Sequence, residues 1–126
     1  LKVLEIYQRD EIFQKAAVTG KYLQKGLSQF RDHPLVGEVR GSGLLGAIEL
    51  VANKEKGTPF AGGALGGYAQ KMAQDNGLLI RAVAGSSLGF CPPLIITEMQ
   101  IDEMMGKVAI ALDKTLEHCQ HNGFLV

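Results

Sequence analysis

No apolar run in this 126-residue chain approaches the roughly 18 to 20 residues that a membrane-spanning helix needs. Net charge is missing too. The 13 basic side chains cancel the 13 acidic ones and no basic run is interleaved with aromatics, so neither an anionic membrane nor nucleic acid is indicated as a partner. Cysteine is scarce: Cys91 and Cys119 lie far apart without a CxxC spacing, which predicts free thiols in a reducing, cytoplasmic setting rather than a disulfide-stapled secreted domain. Leu1-Lys2-Val3 is neither an initiator methionine nor the start of a signal peptide, and the expectation is a chain that begins partway through a longer one. The length suits one domain with a single modest core over residues 1–126, and not two lobes with a cleft between them.

Against these absences stand several stretches with clear periodicity. Leu1, Leu4 and Ile6 read as the tail of a helix ending near Gln8 and Arg9. Asp10 is the expected N-cap of the next helix, with Glu11 favourable in its first turn. Ile12, Ala16, Gly20, Leu23, Leu27 and Phe30 recur at helical spacing, which predicts one buried stripe and leaves Lys15, Lys21 and Lys25 in water. Pro34 stops this helix and forces His33 into an extended conformation, so His33 is read as a helix-end residue rather than a ligand. VGEVR at 36–40, the turn Gly41-Ser42-Gly43 and LLGAIELV at 44–51 then read as a hairpin. Leu44, Ile48 and Leu50 share one face of it and Glu49 points the other way. Arg40 is expected to pair with an acid across that hairpin. Gly41, Gly43 and Gly46 formally match G-x-G-x-x-G, but a dinucleotide fingerprint needs a helix directly after it and an acid about 20 residues on, and the sequence offers neither.

Asn53 to Gly63 is rich in turn formers and reads as a surface connection. Gly62, Gly63, Gly66 and Gly67 are not followed by Gly-Lys-Ser/Thr, so they are read as a flexible lead-in to a helix and not as a phosphate loop. That helix is expected over Leu65 to Asp75, with Leu65, Tyr68, Ala69 and Met72 on one face and Asn76-Gly77 as a left-handed stop. The stretch GLLIRAVAGSSLGFCPPLIIT at 77–97 comes next: an apolar central strand, a polar glycine turn, a second short strand and a Pro-Pro stop. Arg81 is its one charged side chain. A guanidinium among Leu78, Leu79, Ile80, Ala82 and Val83 either snorkels to a surface or awaits an anion, because a buried one needs a partner.

Thr97 and Gln100 make a capping box for the last helix, whose buried stripe is predicted as Ile101, Met104, Met105, Val108, Ala111, Leu112, Leu116 and Cys119, with the methionines as core packing. His118, Cys119 and His121 are set aside as metal ligands, since the helix is expected to fray there and no carboxylate or second cysteine completes a site. The sum is an α+β domain, a small, mostly antiparallel sheet of three to four strands covered on one face by helices. Many ligand-binding modules share that description, so the fold class alone assigns no function.

Four motifs go further. HPLVGEVRGSGLLGAIELV at 33–51, NKEKGTPF at 53–60, the 77–97 stretch and EMQIDEMMGKVAIALDKTL at 98–116 together closely resemble, in the right order and over nearly the whole chain, the C-terminal domain of class III PLP-dependent aminotransferases of the omega-transaminase group. Within that group the sequence looks most like the branch that uses pyruvate as acceptor with amines or diamines such as putrescine. The resemblance implies the C-terminal small domain of a fold-type I enzyme, with residues 1–9 as the tail of a helix from a large domain absent here. That domain would carry the pyridoxal 5'-phosphate lysine and the acid on the pyridinium nitrogen; the cofactor supplies the electron sink while an amino group moves from an amine or omega-amino acid to a keto acid. It also implies a homodimer.

None of Lys2, Lys15, Lys21, Lys25, Lys54, Lys56, Lys71, Lys107 and Lys114 has the family's PLP-lysine context, so no catalytic, cofactor-binding or metal-binding residue is assigned in this chain, and the chain alone is expected to be inactive and cofactor-free. Arg81 matches the family's mobile arginine, which pairs with a substrate carboxylate and swings away for amines lacking one; a planar fork on a long stem suits both states. It is the one substrate-binding residue assigned. The run from Arg81 to Cys91 is one residue longer than the commonest family form, and Ser86 stands where many members carry Asp. The alternative is a freestanding α+β module that binds a small carboxylate or regulates, without catalysis. An apolar surface facing the missing domain is expected to be exposed.

Overall fold

Apolar periodicity is realised in helices α1 (Lys2–Arg9), α2 (Ile12–Ser28), α3 (Leu65–Asp75) and α4 (Glu98–Asn122), and in strands β1 (Val36–Ser42), β2 (Leu45–Leu50), β3 (Arg81–Val83) and β4 (Ser87–Phe90). The computed structural model describes residues 1–61 and 65–126; the flexible lead-in expected at Gly62 and Gly63 lies outside the described residues. The strands form one sheet in the order β1-β2-β4-β3, and every ladder is antiparallel.

One face of that sheet makes the core. Val39, Ile48, Leu50, Leu88 and Phe90 point into a cluster completed by Leu23 and Leu27 of α2, Leu65 and Ala69 of α3, and Ile101, Val108 and Leu112 of α4. Each large aliphatic side chain removed from water there contributes about 1.5–3 kcal/mol. The architecture is thus α+β, with the helices on one face, as the periodicities require. The predicted stripes of α2 and α4 are buried except at Ala16 and Leu116, which are half-buried against the core; α3 has the predicted bounds, and His33 is extended at ψ 136°. The capping box is present in both halves: the Gln100 N–H donates to Thr97 Oγ1 at 3.2 Å, and the Thr97 N–H donates to Gln100 Oε1 at 3.0 Å.

At Gly20, helix α2 meets the β1–β2 hairpin backbone to backbone. A Cβ on Gly20 would lie 2.7 Å from the backbone of Gly43, so only glycine lets the two chains approach this closely. Beside that contact, Gln24 Nε2 donates to the carbonyls of Gly43 at 2.9 Å and Leu45 at 2.8 Å. The glycines of the formal G-x-G-x-x-G match therefore belong to a hairpin, and the element they lead into is β2, not a helix.

Four expectations need correction. Asp10 does not cap α2. Its carboxylate is taken by Arg9, at 2.7 Å to Nε and 2.9 Å to Nη2, and the N-cap position falls to Glu11, held at φ 51° without a side-chain cap bond. The strand carrying Arg81 is neither long nor central. It comprises Arg81–Val83 and lies at the sheet edge. Continuing its register with β4 would set Leu78 opposite Pro92, and proline has no N–H to offer a ladder. The C-terminal end of α4 does not fray at His118. It stays helical to Asn122 and closes on Gly123 at φ 66°, whose N–H bonds to the Cys119 carbonyl. Finally, the α4 stripe includes Thr115, fully buried because its hydroxyl donates to the Ala111 carbonyl at 2.6 Å.

Candidate functional site

The sheet face away from the helices gathers the polar chemistry. Register places Arg40 of β1, Ala47 of β2, Gly89 of β4 and Arg81 of β3 in one row across it. At about 4.8 Å per strand the two arginine Cα atoms stand about 14 Å apart, over a shelf whose middle positions carry only a methyl group and a hydrogen. The next row holds Glu38, Glu49, Ser87 and Val83.

The two arginines differ in what they meet. Arg40 Nη1 lies 2.7 Å from Glu49 Oε2 and 2.9 Å from Glu38 Oε2, so the expected pairing across the hairpin is present. The hydrogen bond to Glu49 raises the Arg40 pKa above its ordinary value; burial opposes it, and attraction from Glu38 and Glu49 adds to the rise. Glu38 was legible as a second partner, because residues two apart in a strand share a face. Arg81 is exposed, and among the described residues no carboxylate, carbonyl or ring engages its guanidinium. It is thus not a buried cation in need of a partner: the sequence placed it in an apolar strand, but its apolar neighbours Leu79 and Val83 are themselves exposed.

Behind Arg81, β3 turns through Ala84, Gly85 and Ser86 into β4. Ala84 and Gly85 are both left-handed, at φ 47° and 84°; a left-handed alanine costs roughly 1–2 kcal/mol. The Leu50 N–H donates to the Ser86 carbonyl at 2.9 Å and ties the turn to the end of β2. Next to Arg81 opens a groove of about 590 Å³, lined by Leu79, Ile80, Gly89, Pro92 and Lys107 among others. Lys107 Nζ donates to Glu103 at 2.6 Å and to the Gly77 carbonyl at 3.4 Å, and its hydrogen bond holds the Glu103 carboxyl below the usual carboxylate range.

The residues set aside as metal ligands point apart. Cys119 is fully buried in the core, His118 stacks on Tyr68 with ring centroids 3.9 Å apart, and His121 is exposed. Among the described residues no group of three His, Cys, Asp or Glu is placed to hold a metal ion.

Residues 1–112 match the family model for Aminotransferase class-III. The chain belongs to that family. It is 40% identical over 116 residues to the putrescine–pyruvate aminotransferase of Pseudomonas aeruginosa, an alignment covering 91% of the chain and 25% of that protein. To the chloroplastic gamma aminobutyrate transaminase 3 of Solanum lycopersicum it is 35% identical over 116 residues, covering 91% and 22% respectively. The solved omega transaminase of Pseudomonas jessenii in complex with PMP superposes with a TM-score of 0.85 at 42% identity, covering 90% of this chain and 25% of that one. The class III chain spans about a quarter of the length of the relatives it matches.

Class III aminotransferases use pyridoxal phosphate, which needs a lysine amine converging with phosphate donors. The groove beside Arg81 carries one lysine, the paired Lys107, and no arginine. Lys2 and Lys71 are paired with Glu5 and Asp75 on helix surfaces, and Lys54 donates to the carbonyls of Arg31 and His33.

Proposed function

We propose that this chain is the C-terminal small domain of a transaminase that moves an amino group from an amine or omega-amino acid to a keto acid such as pyruvate, and that Arg81 binds the substrate carboxylate. The observation that carries the reading is the contrast on the open sheet face: Arg40 is tied by two carboxylates, whereas Arg81 stands exposed on the edge strand with no partner among the described residues. A guanidinium in that state offers its fork to an incoming carboxylate at no cost in broken ion pairs.

The names of the relatives agree with such a role. Pyruvate and γ-aminobutyrate each carry a carboxylate, and putrescine carries none. A site that takes both kinds of molecule in turn needs a cation that can approach and withdraw, and an arginine on a three-residue edge strand above a shelf of Ala47 and Gly89 has room to do so. The carbon–nitrogen chemistry belongs to the cofactor and its lysine, both supplied from outside this chain by a large domain, in a homodimer.

In the full-length enzyme, Arg81→Ala is expected to raise KM for pyruvate about 10- to 100-fold, the worth of a charge-assisted pair. Steady-state kinetics should show a donor lacking a carboxylate spared. Equal loss for both kinds of substrate would count against Arg81 as the carboxylate ligand. The chain by itself, mixed with pyridoxal phosphate, should show neither the absorbance of a lysine-bound cofactor nor turnover; a stoichiometric lysine adduct that turns over would place the active lysine here instead.

A further inference from the structure

An edge strand of three residues does not hold itself in place. In an antiparallel pair alternate amides face away from the partner strand, and at a sheet edge those amides lack a ladder bond. In β3 that amide is the one joining Arg81 to Ala82, and it is not left to water: the Ala82 N–H donates to Gln70 Oε1 of α3 at 2.7 Å. Because the backbone group is a donor, the oxygen of the Gln70 amide must be the atom that faces it. Helix α3 also touches the far end of the hairpin. A Cβ on Gly66 would lie 2.3 Å from the Gly85 carbonyl oxygen, so the helix backbone rests directly on the β3–β4 turn. The peptide from which Arg81 departs and the turn behind it are thus both anchored on α3, four residues apart on one helix face.

We propose that Gln70 is a positioning residue for substrate recognition: through the Ala82 amide it fixes the base of Arg81, so that the guanidinium swings from a stationary backbone and not together with its strand. The proposal rests on the reading of Arg81 as the carboxylate ligand. It gives Gln70 no contact with substrate, and it makes acceptor specificity depend on a residue of a helix that the sequence marks only as a core-facing element.

The test uses the full-length enzyme with Gln70→Met, which keeps length and helix preference but removes the acceptor, and Gln70→Ala in parallel to guard against a new contact made by the methionine. Two things are read: amide hydrogen exchange at Ala82, and KM and kcat for pyruvate beside those for butanal, an acceptor without a carboxylate. The expected result is faster exchange at Ala82 and a rise in KM for pyruvate of about three- to tenfold, the worth of one hydrogen bond, with kcat and the butanal KM unchanged. Unchanged exchange overturns the proposal, as does faster exchange without a change in the pyruvate KM, or an equal loss for both acceptors. Arg81→Ala is measured alongside. If it discriminates between the acceptors while the Gln70 variants do not, positioning by Gln70 is wrong and the Arg81 reading stands; if it does not discriminate, the Arg81 reading fails first and this inference with it.

Discussion

His33 shows how one residue can join three segments. Its Nδ1 accepts the Leu35 N–H at 3.2 Å, its carbonyl accepts from Lys54 at 3.2 Å, and its Nε2 faces Asp113 of α4 at 3.4 Å. That last distance is long, and Nε2 completes no hydrogen bond, so Asp113 lies beside the ring without satisfying it. Burial pushes the His33 pKa below its ordinary 6.5, with Lys54 adding to the lowering and Asp113 opposing it. The folded state therefore prefers the neutral ring. Between 6.5 and the lower folded value the unfolded chain binds a proton that the folded chain does not, and stability falls as pH falls through that window. Urea denaturation at about pH 7.5 and about pH 5 should show the loss, and His33→Gln should flatten it. An unchanged slope in that variant would assign the acid sensitivity elsewhere. Arg81 and Arg40 make the complementary point: two arginines in one row have different neighbours, two carboxylates for Arg40 and none among the described residues for Arg81.

At the scale of elements, contacts between backbones set the arrangement. Gly20→Ala sets two effects against each other. Alanine in the middle of α2 gains about 1 kcal/mol in helix propensity, but its Cβ would meet Gly43 backbone atoms at 2.7 Å, and such overpacking costs about 1–3 kcal/mol. Because backbone cannot rotate aside as a side chain can, a net loss of about 1 kcal/mol is expected, measured as a lower denaturant midpoint at unchanged m-value. A stabilised variant would mean that α2 and the hairpin are not locked together. Removing the cap of α4 with Thr97→Ala should cost about 1 kcal/mol, because it leaves the Gln100 N–H without its acceptor; circular dichroism through thermal unfolding reads the lowered midpoint. The elements themselves were legible from periodicity, and so was the capping box. The position of β3 was not: its apolar run predicts a buried strand, whereas prolines at 92 and 93 limit its pairing and β4 enters between it and β2.

The whole molecule leaves one side of its apolar surface uncovered. Leu79 is 84% and Ile95 73% exposed along the groove beside β3, and α1 has no buried residue, its contact with α2 including the edge-on pair Tyr7–Phe13 at 5.2 Å. Patches of this kind mark surfaces that meet other chains, so the isolated chain should self-associate with rising concentration, visible by sedimentation velocity; a strictly monomeric species over a wide range would show these residues to be tolerated in water. The cysteines report on the core from the other side. Cys91 is exposed, while Cys119 is buried and its thiol pKa is raised by that burial, so a thiol reagent should modify one site in the native chain and the second only with global unfolding. The sequence by itself determined the family, the helices, most of their buried stripes and the hairpin, because each is carried by local spacing or by a motif contiguous in the chain. Only the tertiary structure decided that Arg81 stands exposed at a sheet edge in a row with Arg40, that Asp10 serves Arg9 instead of α2, and that Gln70 reaches the Ala82 amide. Each of these depends on which strand lies beside which and on distances between residues far apart or competing for one partner, and no periodicity encodes that.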